Sequence, residues 1–289
     1  MKITCDVCYH KCSLEEGQTG LCYSRKASLG KSIPVNYGHV TSIALDPIEK
    51  KPLYHFHPGS QIISVGSYGC NLKCPFCQNV SISLADNRVK RNEMNIGLPE
   101  FEYIAPEELV KIAEKYVPYG NIGVAFTYNE PLVCYEYVRD SSKLLKEAGL
   151  CTVVVTNGSV DSRIVDEIGP YIDAMNIDLK SFSDSYYRDV LKGDLNVVKE
   201  FIETALKYCH VELTTLVVTD DNDSIDEMKN IVDFIASLEE ECGKKIPFHI
   251  SRFFPRSSYA DRKPTDIDIM KRLYDVAKKK LEYVYLGNC

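Results

Sequence analysis

The chain has 289 residues, enough for one large domain or two small ones, and its 45% hydrophobic and 26% charged residues exclude a disordered or fibrous protein. Its net charge is −7, from 34 basic and 41 acidic residues. Because phosphate binding exploits a basic excess, we expect no nucleic-acid partner.

Residues 1–60 are rich in cysteine, glycine and turn signals, and 33–43 is their only obvious extended stretch. The chain shows neither a signal-peptide pattern nor an apolar stretch of roughly 18 residues, so we expect a cytoplasmic protein without membrane contact. In that reducing compartment, closely spaced cysteines are more often metal ligands or redox thiols than disulfides. The chain has 12 cysteines, concentrated in its first 77 residues, which indicates metal binding.

Strand and helix signals alternate after about residue 60. Seven short apolar runs predict strands at 61–67, 121–127, 151–156, 173–179, 210–218, 246–253 and 282–286. Helical patterns lie between them, at 106–117, 132–147, 160–168, 195–208, 224–238 and 266–280. A polar insertion without a clear period occupies 87–103.

Repeated β-α units predict a parallel sheet with crossover helices, either an open doubly wound sheet or a β/α barrel. No Gly-x-Gly-x-x-Gly follows any predicted strand, which disfavours a dinucleotide-binding sheet. We therefore predict an α/β fold: a partial TIM-type (β/α)6 barrel at 61–289, preceded by a cysteine-rich N-terminal extension at 1–60. In such a barrel the chemistry belongs to loops at the carboxyl ends of the strands.

A loop directly after the first predicted strand carries Cys70, Cys74 and Cys77. Three thiols in eight residues suit one compact inorganic centre, and no fourth cysteine is nearby in the sequence. A closed structural site prefers four protein ligands, whereas a catalytic centre keeps one position open. The spacing favours a catalytic 4Fe-4S cluster with one iron free. The alternatives are a zinc site that borrows Cys134 or a histidine, and a redox loop.

A second set of cysteines lies near the N-terminus, at Cys5, Cys8, Cys12 and Cys22. Four thiols within 18 residues make a complete coordination set, with His10 as a competing ligand. We predict a closed zinc site or an auxiliary iron-sulfur cluster here. Four other cysteines occur singly in predicted helices or strands, where they are most simply packed hydrophobic residues: Cys134, Cys151, Cys209 and Cys242.

At Cys70, Cys74 and Cys77 the sequence resembles the radical S-adenosylmethionine (radical SAM) superfamily, whose Cys-x-x-x-Cys-x-x-Cys signature is matched in full. The resemblance implies a 4Fe-4S cluster and S-adenosylmethionine as cofactors. It also implies an oxidoreductase that cleaves S-adenosylmethionine reductively to a 5′-deoxyadenosyl radical, which abstracts hydrogen from a substrate. An incompletely closed barrel would leave a lateral opening wide enough for a peptide loop.

The resemblance also implies residues that contact S-adenosylmethionine. Members of the superfamily often carry Gly-Gly-Glu after the second strand, where this chain has Thr127-Tyr128-Asn129-Glu130-Pro131. The glutamate is retained, which assigns Glu130 to the α-ammonium group, although it is also placed as a helix N-terminal acid. Asn129 is assigned to the same site.

Further contacts follow from the later strands. In glycyl-radical-enzyme activases, the residues that follow the third and fourth barrel strands approach the amino and carboxylate ends and the ribose of S-adenosylmethionine. Phe76 matches an aromatic residue that lies against the adenine. The residues implied at these positions are Thr156, Asn157, Asp178 and Lys180. Arg252 is a further S-adenosylmethionine candidate. With it, Tyr128, Thr215 and His249 are candidates to line the cavity, and each is equally compatible with an ordinary place in the barrel interior.

Within the superfamily the chain most resembles the radical enzymes of the AmmeMemoRadiSam system, which are similar to pyruvate formate-lyase activating enzymes. The motifs that carry this resemblance span nearly the whole chain: the N-terminal cysteines with His10, residues 46–56, 58–60, 127–131, 176–180 and 249–253. Two departures stand out. Phe254 replaces a histidine that the family often has, and the chain ends at Cys289 without the usual Cys-Pro-x-Cys tail.

Three functions are compatible with these features. The first is radical attack on a protein substrate, as in activases, with an electron donor such as flavodoxin or ferredoxin. The second is modification of a small molecule or peptide side chain together with Memo-like and AMMECR1-like proteins. The third is a non-catalytic iron-sulfur sensor. Retention of Glu130, Asp178 and Lys180 disfavours the sensor, because a sensor needs no methionine clamp.

Overall fold

The computed structural model describes residues 2–83 and 98–289. The strands of these segments are, in chain order, β1 (Ile3–Thr4), β2 (Ser13–Leu14), β3 (Arg25–Ser28), β4 (Lys31–Pro34), β5 (His39–Val40), β6 (Ser42–Pro47), β7 (Gln61–Gly66), β8 (Glu102–Tyr103), β9 (Asn121–Phe126), β10 (Cys151–Thr156), β11 (Ala174–Asp178), β12 (His210–Val217), β13 (Phe248–Arg252) and β14 (Val284–Gly287). Eight of them form one sheet in the order β14-β13-β12-β11-β10-β9-β7-β6. All neighbours in it pair in parallel except β6 and β7. The predicted partial TIM-type barrel is confirmed, and its seven predicted strands are present.

Helices connect the parallel strands. Those of the described segments are α1 (Val80–Ser83), α2 (Pro106–Lys115), α3 (Tyr135–Glu147), α4 (Ser162–Ile168), α5 (Leu195–Ala205), α6 (Ile225–Cys242) and α7 (Ile267–Lys278). Several begin at a side-chain cap, as where Ser224 accepts a hydrogen bond from the Glu227 N–H. The six predicted helices are present, whereas the π-helical turn Tyr186–Leu191 was not predicted. None of the helices in residues 2–83 and 98–289 is long and apolar enough to span a bilayer.

The N-terminal extension is less separate than the sequence indicates. It forms two small antiparallel sheets, β1–β2 and β3–β4, but β6 pairs with β7 and so belongs to the barrel sheet. β6 mixes exposed and buried residues rather than forming an apolar run, which explains why periodicity did not single it out. The boundary at residue 60 stays a prediction. Most of the predicted insertion 87–103 lies outside the described residues, and its end forms β8, which pairs with β5.

A buried carboxylate holds the segment before β7 across one end of the barrel. Glu212, in the first half of β12, accepts hydrogen bonds from the backbone N–H groups of Tyr54 (3.0 Å) and His55 (2.7 Å). Its oxygens also contact the ring nitrogens of His210 (3.0 Å) and His249 (2.7 Å). Burial acts to raise the pKa of Glu212, but these hydrogen bonds lower it to about 2. This end of the barrel is therefore closed, and the strand ends at the other side remain accessible.

Candidate active site

A cavity of about 450 Å³ opens at the carboxyl ends of the strands. Ten residues singled out from the sequence line it: Cys70, Phe76, Cys74, Cys77, Asn129, Glu130, Thr156, Asn157, Asp178 and Lys180. They come from four strand ends that are far apart in the chain, and parallel pairing brings these ends to one edge of the sheet. The three thiols and the polar groups predicted to meet S-adenosylmethionine therefore share one cavity.

The cysteine loop is held from several sides. Asn71, between the first two cysteines, is fully buried, and its side-chain amide donates to the Ser159 carbonyl oxygen at 2.8 Å. Its side-chain oxygen accepts from Asn157 Nδ2 at 2.9 Å, and the same Nδ2 lies 3.5 Å from Cys70 Sγ. Further along the loop, the Tyr259 N–H donates to the Pro75 carbonyl oxygen. Sequence reasoning missed Asn71, whose only signal was its place inside the cysteine motif.

Burial favours the protonated form of two thiols of this loop, Cys70 and Cys74. Burial raises the pKa of Cys74 to about 12 and raises the pKa of Cys70 well above its ordinary value. Metal ligands must be thiolates, so iron binding here has to displace protons. Loading of this site is therefore a proton-releasing event.

Glu130 is almost fully buried and fully engaged. One carboxylate oxygen accepts from the Leu132 N–H (3.0 Å) and the Thr156 hydroxyl (2.8 Å), and the other accepts from the Asn157 N–H (2.7 Å). Glu130 thus caps the N-terminus of the 3-10 helix Pro131–Cys134, in agreement with its prediction as a helix N-terminal acid. It also lines the cavity. Burial raises the pKa of Glu130 to about 7, although the hydrogen bonds oppose this.

Two further polar groups shape the walls. The Asn129 amide receives a hydrogen bond from the Ser67 N–H and donates to the carbonyl oxygens of Tyr68 and Gly69, so it fixes the backbone that leads into the cysteine loop. The Lys180 ammonium donates to Asp178 Oδ2 at 2.8 Å. Burial acts to lower the pKa of Lys180, but the Asp178 carboxylate raises it above its ordinary value, so this lysine stays charged.

Of the remaining predicted residues, two line the cavity and three are bonded within the barrel. Phe76 is buried in the cavity wall with its ring 6.1 Å from that of Tyr259. Arg252 is not among the described residues that line the cavity: its Nε donates to the Thr265 carbonyl oxygen at 2.7 Å, so its predicted contact with S-adenosylmethionine has no support from this geometry. Thr215 bonds the Leu179 carbonyl oxygen and His249 bonds Glu212, so both serve the barrel wall. Tyr128 does line the cavity.

The four N-terminal cysteines lie close together. Cys5, Cys8 and Cys22 are buried and Cys12 is partly buried. Burial raises the pKa of Cys8 to about 12, with further contributions from the other three thiols. Among residues 2–83 and 98–289, no three His, Cys, Asp or Glu side chains converge on a point where they could share a single metal ion, and this includes the three loop cysteines. A cluster binds each cysteine at a different iron, so the finding concerns single ions, and metal at the four N-terminal cysteines stays a prediction.

The segment that carries these four cysteines, residues 5–24, forms an N-terminal layer that packs directly on the cysteine loop of the cavity. His10 Nε2 lies 2.9 Å from the Asn71 carbonyl oxygen, and the Tyr9 hydroxyl lies 2.7 Å from the same nitrogen. The Ser24 hydroxyl donates to the Tyr68 carbonyl oxygen at 2.9 Å. The layer and the loop therefore share contacts on both sides of Cys70.

We expect Gly69→Ala to separate this layer from the loop. Gly69 has φ +88°, and a Cβ there would lie 2.0 Å from Ser24 Oγ and 2.4 Å from the Cys22 carbonyl oxygen. Gly59 has a similar φ of +82° but no neighbour within 4 Å, so Gly59→Ala isolates the backbone strain of about 1–2 kcal/mol. Gly69→Ala should lower the free energy of unfolding by roughly 1–3 kcal/mol more than that. If the two variants gave equal urea denaturation curves, a Cβ at residue 69 would not be crowded by Ser24 and Cys22.

The comparisons with known proteins bear directly on this cavity. The Radical SAM superfamily model matches residues 64–235, which include the cysteine loop and four of the strand ends around it. The chain belongs to the radical SAM superfamily. An uncharacterized protein of Methanocaldococcus jannaschii is 37% identical over 290 residues, covering 99% of this chain and 81% of that protein. Pyruvate formate-lyase-activating enzyme of Clostridium pasteurianum is 28% identical over 232 residues, which cover 74% of this chain and 85% of that enzyme.

Two solved structures share the fold. Streptococcus suis SuiB bound to S-adenosylmethionine superposes with a TM-score of 0.57 at 14% identity, over 79% of this chain and 52% of that one. QueE from Escherichia coli superposes with a TM-score of 0.55 at 13% identity, over 87% and 94%. At these identities the likeness concerns the fold alone.

Membership in this superfamily of enzymes implies a 4Fe-4S cluster and S-adenosylmethionine, and the residues present fit both. Cys70, Cys74 and Cys77 supply three thiols in one cavity, which leaves one iron of such a cluster without a protein ligand. The buried carboxylate of Glu130 and the charged Lys180 are complementary to the ammonium and carboxylate of a methionine group. The chain's own contribution is to place these groups and to shield them from water.

Proposed function

We propose that this radical SAM enzyme acts on a protein substrate in the manner of a glycyl-radical-enzyme activase. When bound, the cluster and S-adenosylmethionine supply a 5′-deoxyadenosyl radical after one-electron reduction, and that radical takes a hydrogen atom from the substrate. The single observation that carries the proposal is the shared cavity of three thiols, Glu130 and Lys180. In it the chain holds the cofactor, orients its two charged ends and keeps water out.

Two findings support a protein as the substrate. Besides the Clostridium pasteurianum enzyme, a putative glycyl-radical enzyme activating enzyme of Methanocaldococcus jannaschii is 23% identical over 230 residues, covering 78% of this chain and 80% of that one. In addition, β6 and β14 are the two edges of the sheet, so the barrel is not closed on itself. The resulting opening gives an extended peptide segment a route to the cavity.

The proposal includes further components. The reducing electron comes from a flavodoxin or ferredoxin, and we place the protein in the cytoplasm, where its twelve free thiols stay reduced. We assign zinc or an auxiliary iron-sulfur cluster to Cys5, Cys8, Cys12 and Cys22. Metal analysis of reconstituted protein distinguishes them, because a zinc site gives about four irons and one zinc per chain and an auxiliary cluster gives about eight irons.

A second candidate is radical modification of a small molecule or peptide side chain, within an AmmeMemoRadiSam system that includes Memo-like and AMMECR1-like partners. Its support is the sequence resemblance and relatives such as the GTP 3′,8-cyclase of Pseudomonas syringae, 27% identical over 170 residues and 57% of this chain. That match covers 47% of the cyclase, so it says little about the substrate.

One experiment tests the proposal and separates the two candidates. The protein is reconstituted anaerobically, reduced with dithionite in the presence of S-adenosylmethionine, and assayed for 5′-deoxyadenosine. A deuterated cell extract is then divided by ultrafiltration into macromolecules and small molecules, and each fraction is added. Deuterium in 5′-deoxyadenosine from the macromolecular fraction supports a protein substrate, and deuterium from the filtrate supports the second candidate. Absence of 5′-deoxyadenosine would overturn both.

A further inference from the structure

A pair of adjacent lysines shares the cavity with the three cysteines. Lys50 and Lys51 both line it, at the end of the 3-10 helix Ile48–Lys50 that precedes β7. Lys51 is buried, with 3% of its side chain exposed, whereas Lys50 is 66% exposed. Neither residue belongs to the cysteine loop or to the polar groups assigned to S-adenosylmethionine. The cavity thus has a cationic wall that the cofactor does not account for.

The two ammonium groups share one carboxylate. Lys50 Nζ donates to Asp46 Oδ1 and Lys51 Nζ donates to Asp46 Oδ2, both at 3.0 Å. Within the described parts of the chain, Asp46 is the carboxylate to which either lysine is paired. Two positive charges and one negative charge leave this wall with a net charge of +1.

The two lysines are not the only donors that Asp46 accepts. Besides the two lysines, its Oδ2 accepts from the Ser64 hydroxyl at 2.9 Å and from the Tyr128 hydroxyl at 3.0 Å. A carboxylate oxygen offers about two acceptor positions, so Oδ2 with its three donors is saturated, whereas Oδ1 accepts from Lys50 alone. Each ammonium group has three N–H donors, of which one is used on Asp46. Since burying unmatched charge is costly, an anion in the cavity would stabilise this wall.

The backbone that follows Lys51 is held in place by hydrogen bonds. The Glu212 carboxylate fixes the backbone of Tyr54 and His55, and the Asn176 side chain donates to the Pro52 carbonyl oxygen at 2.8 Å. These contacts bracket the residues that directly follow Lys51. The buried Lys51 side chain therefore loses less rotamer entropy when an anion binds than a lysine on a loose loop would.

Tyr128 connects the lysine pair to the Glu130 loop. It adopts a φ of +73°, which is unusual for a residue with a side chain, and its ring packs over Gly66, where a Cβ would lie 2.8 Å from Tyr128 Cδ2. Lys51 Nζ lies 5.0 Å from the centre of the same ring. A strained conformation that is supported on both sides indicates a built arrangement rather than an accidental surface contact.

We propose that Lys50 and Lys51, oriented by Asp46, form a subsite that binds an anionic group of the substrate, a carboxylate or a phosphate, inside the radical SAM cavity. This inference rests on the proposed function and narrows its substrate to one that presents such a group. The net positive charge of the lysine pair and Asp46 suits either anion. It supplies binding and orientation and takes no part in bond breaking.

Anion binding to the reconstituted protein saturated with S-adenosylmethionine tests this proposal. Inorganic phosphate and succinate are titrated separately by calorimetry at constant ionic strength. We expect saturable binding of at least one probe, weakened roughly tenfold or more in Lys51→Met and in Lys50→Met, as loss of a charge-assisted hydrogen bond implies. The tighter probe shows whether the subsite takes phosphate or carboxylate. Lys51→Arg, which keeps the charge, should retain most of the binding.

Lys271→Met is the matched control, because Lys271 is 64% exposed and also paired with one aspartate, Asp268. It should bind the probes as the parent does. Lys50 is exposed enough for Lys50→Met to fold even if Lys51→Met does not. Equal binding in Lys50→Met and the parent, or no saturable binding to the parent, would overturn the proposal. So would a weakened affinity for S-adenosylmethionine in Lys50→Met, because the lysines would then serve the cofactor. Formation of 5′-deoxyadenosine by the parent is a separate readout that judges the proposed function.

Discussion

Cys74→Ala should lose the catalytic cluster and, with it, 5′-deoxyadenosine formation. Cys74 is one of three thiols in the cavity, and a cluster with one iron already lacking a protein ligand has none to spare. Removing a residue that only hydrogen-bonds to a metal ligand commonly lowers metal affinity by about 10–100-fold. Cys74 is predicted to be a direct ligand, so we expect the rate of S-adenosylmethionine cleavage to fall by more than about 100-fold. Iron content and 5′-deoxyadenosine are measured on the same reconstituted sample.

Cys151→Ala is the control for this result. Cys151 is also partly buried, but it lies at the first residue of β10, away from the strand ends that form the cavity. It should keep its iron and its activity. If Cys74→Ala produced as much 5′-deoxyadenosine as the parent, the assignment of the cluster to this loop would be wrong.

Glu130→Gln should weaken the binding of S-adenosylmethionine and remove its dependence on pH. Truncating one partner of a buried charge pair typically costs about 2–5 kcal/mol, which is at least roughly 30-fold in affinity. The pKa of Glu130 is raised from 4.5 to about 7 by burial, so its proton must leave before the carboxylate can pair with an ammonium group. Affinity should therefore fall as pH is lowered below about 7, by up to about tenfold per pH unit, and level off above it.

The raised pKa of Glu130 also affects the stability of the cofactor-free protein, which should increase as pH falls, whereas the affinity for S-adenosylmethionine decreases. Because the folded state holds the Glu130 proton more tightly than the unfolded state, this group's contribution is favourable at pH below 4.5 and is lost as pH rises through about 7. Glu130→Gln should flatten this part of the stability profile. Glu239→Gln is the control, since Glu239 is also buried and accepts a backbone N–H, from Ile246, at 2.9 Å. A parent whose affinity does not change between pH 5.5 and 8 would contradict the assignment of Glu130.

Much of the barrel could be predicted from sequence because its strands are short apolar runs bounded by turns, and such signals are local. β7, β9 and β10 each lie within a residue of their predicted bounds. β6 was missed because an edge strand with exposed residues has no apolar run, and its identity depends on pairing with β7. The π-helical turn Tyr186–Leu191 was missed because its hydrogen bonding is not encoded in any simple period.

The site shows the same division. The cysteine spacing, together with the family resemblance that singled out Glu130 and Lys180, identified residues that share one cavity. Asn71 and Lys51 were not singled out, because their importance depends on contacts with Ser159 and Asp46 and on burial, which spacing does not reveal. The contact of Arg252 with S-adenosylmethionine stays a prediction from its motif, and its Nε donates to the Thr265 carbonyl oxygen.

The hydrogen bonds of Glu212 affect the order in which parts of the native structure can form. Its hydrogen bonds to Tyr54 and His55 join residues 158 and 157 positions apart in sequence, and its partner His249 lies later still. Contacts of such separation form late, because the entropy of closing a long loop must be paid first. During synthesis, the segment that carries Lys50 and Lys51 therefore cannot be locked in place until β12 and β13 have left the ribosome. The cavity wall that carries the two lysines is therefore completed only after β12 and β13, when the cysteine loop has long been exposed.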